Sequence, residues 1–178
     1  DRPMSMATEA LADGPERFRD AYRHIVDLMR SQGAYNVLWV FHVDAQDVPE
    51  DEWNRFENYY PGDDWMDWVG VSVYGAAEPT DDEWIEFRQP MDDVYARLAA
   101  LTEKPIAVLE FGVTSGNPLG DQANWTRAAL TDLIDGRWPR VIGLSWWNEG
   151  WRNDDNAAHD TDMWIQNNPS SASHSKSL

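Results

Sequence analysis

The sequence lacks cysteine, is poor in basic residues and contains no long apolar run. Without cysteine it can form neither a disulfide nor a thiolate metal site. Cysteine usage therefore does not indicate whether the protein works in an oxidising or a reducing compartment. Lysine and arginine number 14 against 32 aspartates and glutamates, a formal charge of −18 that repels nucleic acids and anionic membrane surfaces. No apolar stretch approaches the ~20 residues of a membrane span, and the first residues show no signal-like apolar core. We expect neither nucleic acid nor membrane as a partner, although the acidity is equally consistent with solubility alone.

Tryptophan, by contrast, is abundant. The chain has 11 tryptophans in 178 residues, more than a core of this size needs. Because aromatic faces stack on the apolar faces of sugar rings, this surplus in an acidic protein favours a carbohydrate partner. Several of the tryptophans, such as Trp39, Trp68 and Trp125, lie inside periodic apolar segments and are explained by packing alone.

Four short apolar segments alternate with helical patterns along the chain. We predict strands at 36–44, 67–75, 105–111 and 141–147. Amphipathic spacing predicts helices between Pro15 and Gly33, from Trp84 to Leu101 with Pro90 as a point where it could kink, from Asp121 to Gly136, and a short one around 161–166. This alternation predicts an α/β fold with a parallel sheet.

All four predicted strands end in polar or aromatic residues. That pattern is typical of the carboxyl-terminal mouth of a β/α barrel. Four strands make only half of an eight-stranded barrel, and they would leave open edges with unpaired backbone. We expect residues 1–168 to form one partial domain and the Ser-rich residues 169–178 to form a disordered tail.

The third strand carries a carboxylate at its end, and this glutamate, Glu110, is the first candidate for catalysis. A strict two-residue period places Ile106, Val108 and Glu110 on one face and Ala107, Leu109 and Phe111 on the other. A charge at the last buried step of a strand is costly unless it faces a polar cleft, and that cleft lies at the carboxyl ends of the strands. The alternative is a glutamate that simply turns into solvent.

The other strands place further candidates at the same end. In the second strand, three valines would face covering helices, whereas Gly70, Ser72 and Tyr74 would line a tight interior with the Tyr74 hydroxyl at its rim. Tyr74 could equally be a packed core residue. In the first strand, His42 and Asp44 share a face. His42 could be a ligand or a catalytic base, although a lone histidine at a strand end is more often a hydrogen-bonding group.

Three segments carry a resemblance to a known family. Residues 59–75 (YYPGDDWMDWVGVSVYG), 104–112 (KPIAVLEFG) and 141–151 (VIGLSWWNEGW) resemble glycoside hydrolase family 26, which contains β-mannanases and some enzymes that act on other β-glucans or xylans. Their order suits strands six, seven and eight of a TIM-type (β/α)8 barrel, and residues 36–44 resemble strand five less closely. The resemblance implies an endo-β-1,4-mannanase-like enzyme, secreted or extracytoplasmic, that hydrolyses β-linked polysaccharide with retention.

The resemblance also implies roles for individual residues. Glu110 corresponds to the nucleophile, and Tyr74 to the tyrosine that orients it. Trp147 corresponds by face parity to an aromatic platform under a sugar ring, with Trp146 as the alternative. Further substrate contacts are expected from residues near the strand ends, namely His42, Asp44 and Glu149.

One part of the family pattern is missing. The family's general acid/base is a glutamate that follows a histidine at the end of strand four, and no His-Glu pair occurs in this sequence. Because general acid catalysis contributes ~100- to 10,000-fold, we expect this chain alone to be weakly active or inactive, and its partner to be the missing N-terminal half-barrel. Glu149 and, more distantly, Asp44 are the alternative acids. The competing hypothesis is a non-catalytic carbohydrate-binding or remnant barrel fragment.

We expect no metal and no cofactor. Two acidic groups, one at Asp63, Asp64 and Asp67 and the other at Asp154 and Asp155, could ligate calcium, but they lack the template of a calcium-binding loop and are more typical of solvated faces.

Overall fold

A computed structural model describes residues 14–168 of the chain, and the predicted tail at 169–178 lies outside the described residues. These described residues form three α-helices, α1 (Gly14–Ser31), α2 (Arg88–Leu101) and α3 (Gln122–Ile134), and a sheet of four parallel strands, β1 (Val40–Asp44), β2 (Trp68–Tyr74), β3 (Ile106–Gly112) and β4 (Val141–Trp146). The strands follow one another across the sheet in chain order. The predicted parallel α/β sheet is therefore confirmed.

The helix boundaries follow local signals in the sequence. Asp121 caps α3, because its carboxylate accepts a hydrogen bond from the backbone N–H of Asn124 at 2.8 Å. Helix α2 begins at Arg88 and not at Trp84, so the predicted start was wrong. Pro90 lies in the first turn of α2, where a missing N–H costs no helical hydrogen bond.

The end of the described chain also differs from the prediction. The helix expected around 161–166 is absent there. Instead, Thr161–Asp162 forms a short strand, β6, that pairs antiparallel with β5 at Gly150–Trp151. A 3₁₀ turn at Ile165–Asn167 follows. This hairpin packs against the end of β3, since the N–H of Asp162 donates to the Thr114 hydroxyl at 3.0 Å.

The hydrophobic core lies between the sheet and the helices. Val69, Val71 and Val73 of β2 are completely buried in a core cluster that also contains residues of α2 and α3, which confirms the predicted valine face. Their neighbours on β3, matched residue by residue in the pairing, are Ile106, Val108 and Phe111. The other side of β2 carries Gly70, Ser72 and Tyr74, and we call this side of the sheet the open face.

A bulge at Leu109 changes the side-chain alternation of β3. Val71 pairs with Val108, but the next residue, Ser72, pairs with Glu110, so Leu109 is an extra residue. Glu110 therefore points to the open face, opposite to Val108. The predicted grouping of Glu110 with Ile106 and Val108 was wrong, because a strict two-residue period holds only in a strand without a bulge.

Both edges of the sheet carry exposed apolar side chains. Ile142 of β4 is 54% exposed, and β4 has a single neighbour, β3. At the other edge of the sheet, α1 also exposes apolar side chains. Ile25 is 51% and Leu28 is 52% exposed, and we call these two residues the α1 stripe. Among the helices within residues 14–168, none has the length and apolar character needed to cross a bilayer.

Candidate active site

Two side chains meet at the carboxyl ends of β2 and β3. The Tyr74 hydroxyl donates a hydrogen bond of 2.8 Å to Oε2 of Glu110. The bulge at Leu109 makes this contact feasible, because it turns Glu110 onto the face that carries Tyr74. The two residues are partly buried, so the bond lies at the rim of the sheet and not inside the core.

The surroundings of Tyr74 keep its hydroxyl protonated. Partial burial, the hydrogen bond to Glu110 and the negative charges of Glu110 and Asp44 all raise the pKa of Tyr74 well above its usual value. Tyr74 is thus a hydrogen-bond donor across the pH range in which proteins are usually studied. The second oxygen of Glu110, Oε1, lies on the other side of the carboxylate and stays available.

Two residues of β1 also lie on the open face. His42 pairs with Gly70 and Asp44 with Ser72 in the strand register. The ring atom Nε2 of His42 lies 2.8 Å from the hydroxyl of Ser72, so this histidine makes a hydrogen bond within the sheet. Ser72 was not among the predicted site residues, although its position two residues before Tyr74 already placed it on the same face.

Asp44 lies close enough to Glu110 for the two charges to interact. Partial removal of its carboxyl from water raises the pKa of Asp44, and the negative charges of Glu110 and Asp47 raise it further. One oxygen accepts a bond from the backbone N–H of Gln46 at 2.9 Å, which lowers the pKa and opposes this rise. The mouth of the sheet therefore concentrates negative charge between Asp44 and Glu110.

The two neighbouring tryptophans at the end of β4 lie on opposite sides of the sheet. Trp146 packs into the core, with its ring 5.2 Å from that of Phe111. Trp147 is 40% exposed on the open face. A Cβ placed on Gly112 would lie 3.7 Å from both the Cβ of Trp147 and the Tyr74 ring. The side chains of Trp147 and Tyr74 therefore both lie close to Gly112.

Glu149 does not join this group. It lies in the loop before β5, and its Oε1 accepts a hydrogen bond from the backbone N–H of Gly150 at 3.1 Å in a solvent-exposed position. The structure thus brings together Glu110, Tyr74, Asp44, His42 and Trp147, and it leaves Trp146 in the core and Glu149 in an outer loop. Within the described residues, no group of three or more acidic or histidine side chains is placed to hold a metal ion.

A cavity adjoins the group at the strand ends. It has a volume of about 440 Å³ and is lined by Asp44 and Tyr74 together with neighbouring residues that include Ile85 and Pro90. Ile85 and Pro90 precede and begin α2, and nothing in their sequence pattern indicated a role at the site. A second cavity of about 570 Å³ lies farther out, between the segment 45–55 and α2.

Comparison with known proteins shows the family of the chain. The sequence model described as glycosyl hydrolase family 26 matches residues 8–156, which is more than half of the chain. The chain belongs to glycosyl hydrolase family 26. Endoglucanase H of Acetivibrio thermocellus is 30% identical to this family 26 chain over 149 residues, covering 83% of the chain and 16% of that protein.

Solved structures of other family 26 proteins show a similar fold. The endo-β-1,4-mannanase double mutant of Cellulomonas fimi is 24% identical with a TM-score of 0.53, covering 82% of this chain and 32% of that one. The catalytic domain of the Bacillus sp. JAMB-750 endo-β-1,4-mannanase is 22% identical with a TM-score of 0.57, covering 84% and 41%. The family 26 chain therefore spans less than half the length of these relatives. At these identities the likeness concerns the fold alone, which is of the TIM-barrel class.

Proposed function

We propose that this family 26 chain carries the nucleophile side of a retaining glycoside hydrolase that cleaves β-linked polysaccharide of the β-1,4-mannan type. The observation that supports this most directly is the hydrogen bond from Tyr74 to Glu110 at the strand ends, on the face where Trp147 is exposed. A carboxylate held by a neutral donor beside an exposed indole provides a nucleophile and a sugar platform in one place.

In the proposed reaction, Glu110 attacks the anomeric carbon through Oε1 while Oε2 stays bonded to Tyr74. The bond from that carbon to the leaving oxygen breaks, and a glycosyl-enzyme ester forms on Glu110. Water then cleaves the ester and restores the carboxylate. Trp147 would hold the sugar ring by stacking on its apolar face.

We further propose that the described strands correspond to strands five to eight of an eight-stranded barrel. The open edges at β1 and β4 and the exposed apolar side chains beside them favour a closing partner, the N-terminal half-barrel. That half would also supply the family's proton donor, because no His-Glu pair occurs within residues 14–168 and Glu149 lies in an outer loop. Of the two alternative acids, Asp44 alone lies at the mouth, where its pKa is raised by partial burial and by the charge of Glu110. A polysaccharide substrate is too large to enter cells, which favours an extracytoplasmic place of action.

An activated substrate tests the nucleophile without a proton donor. We expect the chain to release 2,4-dinitrophenol from its β-mannoside, because this leaving group departs without protonation. Glu110→Gln should abolish the release, whereas the matched control Glu103→Gln, an exposed glutamate just before β3, should leave it unchanged. Trapping with a 2-deoxy-2-fluoro-mannosyl fluoride should add mass to the peptide that contains Glu110.

The outcome also separates the enzyme from a non-catalytic sugar-binding fragment. A fragment that only binds would release no dinitrophenol and would carry no trapped sugar. Equal release by wild type and Glu110→Gln, or a label on another residue, would contradict the proposed nucleophile. Co-expression with the preceding half of the parent protein should then extend hydrolysis to unactivated β-mannan.

A further inference from the structure

The two cavities beside the candidate site adjoin each other. The inner one has Asp44 and Tyr74 in its wall, and the outer one lies between the segment 45–55 and the first three turns of α2. Four residues form a common wall, namely Ala45, Gln46, Ile85 and Pro90. The volumes of about 440 and about 570 Å³ are each typical of a ligand site. The outer cavity therefore extends the mouth of the sheet away from Glu110.

Arg97 fixes the outer wall of this cavity in advance of any ligand. Its Nη2 donates to Asp47 at 2.6 Å and to Glu57 at 2.7 Å, and its Nε donates to Glu57 at 2.8 Å. The guanidinium also lies 4.0 Å above the ring of Phe56. One residue of α2 thus holds two points of the 45–57 segment, so a ligand would not have to order that wall.

The lining of the outer cavity is polar and mostly acidic, with no aromatic ring. It carries two amides, Gln46 and Gln89, and two arginines, Arg55 and Arg97, beside a larger number of carboxylates: Asp47, Glu50, Asp51, Glu52 and Asp93. Carboxylates accept hydrogen bonds from hydroxyl groups and repel anions. Such a lining suits a neutral ligand that is rich in hydroxyl groups.

We propose that the outer cavity is a distal sugar subsite, which binds units of the same neutral glycan beyond those that contact Glu110 and Trp147. The inference rests on the proposed function and adds to it that the glycan extends over the 45–48 segment towards α2. Sugars in this subsite are held by hydrogen bonds to carboxylates and amides, in contrast to the stacking at Trp147. Affinity for a glycan therefore increases once the chain is long enough to reach Gln89.

Titration of the full chain with β-1,4-manno-oligosaccharides of two to six units tests this directly by NMR. The indole N–H of Trp147 reports binding at the inner site, and the side-chain amide of Gln89 with the backbone amides of 46–52 reports the outer one. We expect the disaccharide to move the Trp147 signal alone. The hexasaccharide should move both sets and bind about tenfold more tightly, which corresponds to ~1.4 kcal/mol.

A double variant, Gln89→Ala with Glu50→Ala, removes two exposed lining groups and leaves the Arg97 ion pairs in place. It should bring the hexasaccharide dissociation constant to that of the disaccharide without changing the latter. The matched control, Gln32→Ala with Glu103→Ala, removes the same two groups at exposed positions outside the cavity and should bind as wild type does.

The failure of this subsite can be told apart from the failure of the proposed function. A hexasaccharide that moves Trp147 but leaves the outer signals still, with no gain in affinity, would overturn the distal subsite and leave the proposed function intact. If every glycan leaves Trp147 still, the sugar platform of the proposed function is contradicted. In that case, silent outer signals overturn the distal subsite as well, and responding outer signals support it.

Discussion

At the scale of single residues, Glu110 depends on one hydrogen bond for its orientation. The Tyr74 hydroxyl is its donor at 2.8 Å, and the charges around Tyr74 hold that hydroxyl protonated. Asp44, whose pKa is raised by partial burial and by Glu110 itself, adds negative charge on the other side. The hydrogen bond that Tyr74 donates therefore opposes the repulsion between the two carboxylates.

Replacing Tyr74 by phenylalanine should lower activity without unfolding the protein. A hydrogen bond to a charged group contributes about 1.5–3 kcal/mol, so we expect kcat/KM of Tyr74→Phe for the dinitrophenyl mannoside to fall by roughly 10- to 100-fold. The control is Tyr95→Phe, which removes a hydroxyl that accepts from the Arg140 N–H at 3.3 Å, away from Glu110. Equal losses in both variants would argue that Tyr74 acts only on stability.

At the scale of elements, the Leu109 bulge connects strand packing to the site. The side chain of Leu109 lies over Gly70, since a Cβ built on Gly70 would come within 2.4 Å of its Cδ1. The absence of a side chain at Gly70 therefore leaves space for the side chain of Leu109 on the neighbouring strand. A larger residue at position 70 would overlap with it.

Gly70→Ala should destabilise the protein, because the new methyl group overlaps Leu109. We expect a loss of about 1–3 kcal/mol in the free energy of unfolding, as for other overpacked positions, measured by urea denaturation. Adding Leu109→Ala should recover part of the loss, with a coupling energy of about 1 kcal/mol. Gly143→Ala is the control, because nothing lies within 4 Å of its added Cβ. Additive losses in the double variant would contradict the contact.

The loop after β1 depends on Arg97 in a way that pH can reveal. The hydrogen bonds from Arg97 lower the pKa of Glu57 to about 2, from 4.5. Because the pKa is lowered on folding, the stabilisation is present in full above about pH 4.5 and is lost as the pH falls towards 2. Arg97→Met should cost about 2 kcal/mol at pH 7, allowing for the partial exposure of Glu57.

Urea denaturation at pH 7, 4.5 and 3 measures this cost. It should be largest at pH 7 and shrink at pH 3. Arg55→Met is the control, because Arg55 is half exposed and 3.4 Å from Glu57, and such surface pairs contribute little. A cost for Arg97→Met that does not change with pH would show that its packing on Phe56 matters more than its charge.

Much of the element pattern followed from the sequence, and the misses have physical causes. The valines of β2 and the cap at Asp121 are local signals, and each was confirmed. The face of Glu110 was not predictable, because the bulge is set by pairing with Ser72 on another strand. The β5–β6 hairpin was missed because each strand is only two residues long, too short to show a period in the sequence.

At the scale of the whole molecule, exposed apolar side chains lie on α1 and on the edge strand β4. Ile25 and Leu28 lie on α1, and Ile142 and Leu144 lie on β4. The charge of −18 keeps molecules apart at low salt. When salt screens that repulsion, the edges are free to associate.

We expect the chain to be monomeric at low salt and to associate in about 1 M salt, where screening extends over only ~3 Å. The pair Ile25→Gln and Leu28→Gln should reduce association in light scattering while changing the free energy of unfolding by less than about 0.5 kcal/mol. Asp20→Gln with His24→Gln, exposed positions on the same helix, should associate as before. Unchanged association in the first pair would exclude the α1 stripe as the contact.

The extra residue in β3 has a consequence for anyone who transfers this strand to another scaffold. A graft that copied all seven residues Ile106–Gly112 as a regular strand without the bulge would bury the acid among hydrocarbon side chains and leave Phe111 in the cleft. The reactive group and the packing residues are thus inherited together with a single-residue insertion, and homologous strands should be aligned around it.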